Sequence, residues 1–226
     1  MWWIKIYWTV ASVRAKTVHV KLQRFDLRTL GCLLFPLLVH LLSRPAAGQT
    51  PTQTNTGTAI VFYADRDVRD TMWPALFGAF QREVAREERD YPLPANPQLK
   101  QAGSFEPGEE FTRIIEVRLI GRCDVVQQAY RPMPRGPLGW VLRVSGEVQP
   151  FVYVDCERLA QYLNPRTLGM SEEQRSLAMA QAISRITIHE WIHIDRQSGD
   201  HETHGLRKPE LSADDLTGTP RVSGGR

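Results

Sequence analysis

His189, Glu190, Trp191, Ile192 and His193 constrain this chain more than any other five residues in it. On an α-helix, residues four apart stand above one another on one face, so the imidazoles of His189 and His193 can grip a single cation. Glu190 lies one residue round from His189, offset from such an ion yet able to reach a water bound to it. The pattern therefore requires a helix through 189–193 and gives the acid a different task from the two nitrogens. Zn²⁺ suits the set, since it takes imidazole, tolerates an open fourth position and lowers the pKa of bound water to ~7. The alternative is two ordinary polar positions on a half-exposed helix. Four of the six histidines fall between 189 and 204, which weighs against it.

A three-ligand site of this kind needs a further residue. The nearest later candidate is His201, eight residues past His193, after a turn that Gln197, Ser198, Gly199 and Asp200 make easily. His204 is the runner-up, and Glu202 and Glu210 are the acidic alternatives. With the dozen residues that follow it, the H-E-x-x-H helix resembles the zincin metallopeptidases. The metzincin continuation would put glycine at 196 and histidine at 199, whereas this chain has Arg196 and Gly199. Residues 201–207 are similar to the tail of small secreted bacterial metzincin-like proteins, with Arg207 where a methionine would stand. No methionine follows Met179, so the Met-turn is missing. The resemblance implies Zn²⁺ held by His189, His193 and a third ligand, for which His201 is the preferred residue, with Glu190 as general base and a peptide or protein substrate extended along an edge strand.

Residues 30–42 form an apolar run of thirteen, preceded by Arg14, Lys16, Lys21, Arg24 and Arg28 and followed by Pro45, Ala46, Ala47 and Gly48. A basic region, a short apolar core and small residues predict a secretory signal peptide cleaved after Gly48. The run is short for a membrane span, which wants ~20 residues. Contact with a membrane is expected only if the leader is retained as an anchor. Residues 1–48 carry seven of the 28 basic and one of the 25 acidic residues, so the remainder has a net charge of −3. The mature portion thus gives no reason to expect nucleic acid as a partner. Cys123 and Cys156 remain after cleavage, each near the end of an expected strand. A bridge between them is the reading that suits a secreted or periplasmic protein, and two buried thiols are the alternative.

The polar stretch 49–58 reads as a flexible linker before a domain spanning 59–216, with a disordered tail over 217–226. Strands are expected at 59–63, 111–120, 140–144 and 151–154, with the last two joined by a hairpin. The spacing of Leu76, Phe77, Phe80 and Val84 predicts an amphipathic helix over 72–89, with Glu83, Glu87 and the rest of its charges in solvent. Residues 91–110 read as a loop. A short helix follows Cys156, and Ser171 with Gln174 forms a capping box that starts the principal helix. Leu177, Ala178, Ala182, Ile186 and His189 share the face expected to pack on the sheet. Ser212 can cap one more short helix, where Asp214 or Asp215 could orient an imidazole or merely cap.

These elements predict an α+β fold in which helices cover a small twisted mixed sheet, with the motif on the principal helix. The function expected is a secreted zinc metallopeptidase. Two rivals stand beside it: a zinc-stabilised secreted or envelope binding protein without turnover, and a metal-free secreted scaffold.

Overall fold

Alternating burial along residues 115–119 builds the centre of the sheet: Ile115, Val117 and Leu119 are fully buried while Arg118 faces solvent. The computed structural model describes residues 54–218 apart from 67, 88, 90, 95 and 126–135. The expected leader and most of the expected tail lie outside the described residues. Five strands form one sheet: β1 (Thr54–Ala64), β2 (Gln98–Gln101), β3 (Glu110–Ile120), β4 (Gly139–Val144) and β5 (Glu147–Asp155), in the order β2-β1-β3-β5-β4. The first four in that order run parallel, and β4 runs antiparallel to β5 at the edge. The β4–β5 connection is the expected hairpin. Ser145 and Gly146 both take positive φ, 51° and 90°, as a two-residue turn between twisted strands requires.

Among the described residues, four α-helices complete the α+β arrangement: α1 (Met72–Glu87), α2 (Cys156–Leu163), α3 (Glu172–Arg196) and α4 (Ala213–Thr217). Helix α3 begins where the sequence predicts, with the Ser171–Gln174 capping box formed in both directions. From Met179 to Ile194 it is buried on nearly every side, because the sheet lies against one flank and α1 against another. An aromatic series joins these layers: Phe62 of β1 meets Phe80 of α1 edge-on, and Phe80 stacks on Trp191 of α3 with ring centroids 6.2 Å apart. Trp191, inside the motif, is fully buried and so anchors the motif helix to the core.

Several expectations are corrected. Strand β1 starts at Thr54, inside the stretch read as linker, because its backbone pairs with β3 from Glu110 onward whatever its side chains. Within the presumed loop 91–110 lies β2, whose single apolar residue, Leu99, leaves no alternation to read. Leu177 does not face the sheet; it is 49% exposed, two residues before the helix enters the core at Met179. Glu83 and Glu87 are buried on α1, not solvated. Glu83 pairs with Arg185 of α3 at 3.0 Å, and a paired carboxylate can stay buried where a lone one could not. Thr217 closes α4 and does not belong to the tail.

Cys123 and Cys156 are bridged, with Cα atoms 4.7 Å apart. The bond ties the segment after β3 to the first turn of α2 and, with a sequence separation of 33, is worth about 3–4 kcal/mol on loop-closure grounds. No helix among the described residues is long and apolar enough to cross a membrane.

Replacing Trp191 by alanine should cost about 3–5 kcal/mol in urea unfolding, since a fully buried indole leaves a cavity between α1 and α3. A second outcome concerns Asp215. Burial opposes its ionisation, but hydrogen bonds from Lys208 and Ser212 outweigh it and hold the carboxyl at about 2. A lowered folded pKa stabilises the fold above the ordinary carboxylate range and loses that contribution as pH falls towards 2. Asp215→Asn should therefore destabilise by about 1–2 kcal/mol at neutral pH, and the deficit should shrink between pH 4 and 2.

Candidate metal centre

The last two turns of α3 bring the motif to the edge of the core. His189 and His193 stand one turn apart with their rings edge to face, and their Nε2 atoms are 3.1 Å from each other. Two nitrogens bound to one tetrahedral ion at 2.0–2.1 Å would be about 3.3 Å apart, so the pair is already spaced for it. Backbone carbonyls set both rings. His189 Nδ1 faces the Leu206 carbonyl, and His193 Nδ1 lies 2.8 Å from the Ser198 carbonyl. A carbonyl can only accept, so each Nδ1 carries the proton and each Nε2 presents a lone pair to the other. Facing lone pairs are what a cation between them would satisfy.

His201 completes the group. The helix stops at Arg196, and Gln197 takes the left-handed conformation at φ 52°, which turns the chain back at once. The ring of His201 then stands 5.3 Å from that of His189 and 4.8 Å from that of His193. One ligand atom from each of the three lies within 4.8 Å of the other two, close enough to hold a metal ion. The bend is made by Gln197 and not by a glycine, and the left-handed conformation of such a residue leaves little trace in sequence.

The other candidates are elsewhere. His204 is 69% exposed and rests against Arg207 and Glu202. Glu202 is held by Arg196 and Arg207. Glu210 lines a neighbouring cavity outside the histidine group. Asp214 pairs with Arg166, and Asp215 caps α4 and pairs with Lys208, so neither orients an imidazole.

Burial controls the charge states. It pushes the Glu190 carboxyl up to about 7. It also drives His189 down to about 4, against the hydrogen bond to Leu206, and lowers His193. Neutral imidazoles at pH 7 are the form a metal needs.

Strand β4 begins beside this group. A Cβ on Gly139 would collide with Ile186 of α3 and come 3.6 Å from Glu190 Oε1, so only glycine lets the edge strand lie this close to the motif helix. Between the start of β4 and the segment 209–216 is a cavity of about 410 Å³, with His189 and Glu190 on one wall and Leu138, Ile186, Leu211 and Leu216 supplying apolar surface. Gly139 and the two carbonyl anchors were not singled out from sequence. The glycine had a signal in Gly136-Pro137-Leu138-Gly139, whereas a carbonyl belongs to every residue and has none.

No family model matches the chain, and neither a curated protein nor a solved structure matches it.

His193→Ala removes one of two pre-aligned nitrogens, so a 1:1 metal complex measured by titration calorimetry should weaken by at least about 100-fold.

Proposed function

We propose that this chain is a secreted zinc-dependent metallopeptidase of zincin-like build, with His189, His193 and His201 as ligands and Glu190 as general base. The meeting of three imidazoles, two of them on the same helix as a buried carboxylate, carries this reading. An all-nitrogen set of this size is one of the known catalytic zinc sets and leaves a position for water or substrate. Zn²⁺ held there supplies a Lewis acid and acidifies a water.

The chain's own residues then divide the work. Glu190 takes the proton of the attacking water and passes it to the departing amine, a transfer suited to a carboxyl held near neutrality. Leu206 and Ser198 keep the rings of His189 and His193 in the tautomer that ligates. Gly139 lets β4, an edge strand, run close to Glu190, where an extended peptide could pair with it. The cavity of about 410 Å³ beside Glu190 suits an apolar side chain of that peptide. Secretion draws on the apolar run at residues 30–42 and on the Cys123–Cys156 bridge, a bond that persists in oxidising compartments.

Glu190→Gln provides the test. The variant should retain one zinc per chain and lose about 10²–10⁴-fold of its turnover of an unfolded protein or peptide library. Turnover unchanged by the substitution refutes the base. Zinc bound by a wild-type protein that cleaves nothing supports the non-catalytic binding protein instead.

A further inference from the structure

His189 and His193 are fixed by the helix that carries them and by carbonyl partners, but His201 is exposed and follows the end of α3 by five residues. A ligand on such a segment reaches its ion reproducibly only if something holds the segment. The restraints shown here act on its neighbour. The Glu202 amide donates to the Arg207 carbonyl at 2.8 Å, closing residues 202–207 into a loop. The Glu202 carboxylate lies between two guanidinium groups, 2.8 Å from Arg196 and 3.1 Å from Arg207.

Arg196 and Arg207 stand on opposite sides of the histidine in sequence. Arg196 is the last residue of the motif helix, and its guanidinium sits 4.5 Å from the centre of the Tyr91 ring. The Tyr91 hydroxyl donates to Asp195 at 2.7 Å, and Asp195 takes a second bond from Arg113 of β3 at 3.0 Å. Arg207 is buried and follows Leu206, whose carbonyl holds the His189 ring. One carboxylate thus joins the end of the motif helix, the loop bearing His201 and the turn that orients His189.

We infer that Glu202, clasped by Arg196 and Arg207, is a positioning residue that holds His201 at ligand distance. This rests on the metal reading proposed above. Glu202 touches neither metal nor substrate. It acts through the loop, fixing the third nitrogen to a scaffold made of α3, Tyr91 and β3. Charge-assisted hydrogen bonds are the stronger kind, and the burial of Arg207 limits their screening.

The test compares wild type, Glu202→Gln and His201→Ala, read by three measurements: zinc affinity by chelator competition, the visible spectrum of the Co²⁺-saturated protein, and the thermal midpoint of the metal-free protein. Glu202→Gln should bind zinc on the order of 10- to 100-fold more weakly than wild type. Its Co²⁺ spectrum should shift towards that of His201→Ala, while its metal-free midpoint stays with the wild type. Arg196→Gln, which leaves Glu202 with Arg207, should show the same pattern with a smaller loss and serves if Glu202→Gln does not fold. Zinc affinity within twofold of wild type overturns the inference. So does a weaker affinity accompanied by a lower metal-free midpoint and an unchanged Co²⁺ spectrum, the result of a merely structural role. Failure of the wild type itself to bind zinc overturns the metal reading and this inference with it.

Discussion

Two imidazole nitrogens face each other across 3.1 Å, each with its proton committed elsewhere, and the surrounding architecture serves to maintain that opposition. It requires the helix to be straight through the motif, since a break would rotate one ring away from the other. It requires the chain to turn immediately afterwards, because both the Ser198 and Leu206 carbonyls come from residues beyond the helix. It also requires burial, which keeps the rings uncharged near neutrality.

Burial in turn depends on how α3 is held. A helix ending in two histidines and an acid would ordinarily be a surface element, yet here the residue between them is a fully buried tryptophan stacked on Phe80. The core therefore reaches into the motif itself. The same packing takes Glu83 and Arg185 out of water as a pair, which costs desolvation but ties α1 to α3. The site is rigid on the helix side and tied by ion pairs on the loop side, a division that follows from where apolar residues are available.

How much of this could be read from the sequence depended on whether the information was local. The α3 start, the α4 cap, the β4–β5 hairpin and the Cys123–Cys156 bridge all came from residues near each other or from few possible partners. Strand β2 did not, since Gln98, Lys100 and Gln101 pair through backbone atoms that carry no residue signature. Burial of Glu83 was invisible because its partner is about a hundred residues away in the chain. His201 was preferred to His204 because it comes first after a turn-forming stretch, and the geometry brings His201 to the pair while leaving His204 in solvent. The anchors of the first two histidines were beyond reach, being main-chain oxygens whose use is decided only by the fold.

The disulfide has a consequence for handling this protein. Strands β4 and β5 lie between Cys123 and Cys156, so any single peptide bond broken in that interval leaves both fragments joined through sulfur. A chain nicked there would keep its mass apart from one added water and would migrate as a single band until reductant separated the pieces. Intact and nicked populations of this molecule therefore separate by electrophoresis only when the sample is reduced first.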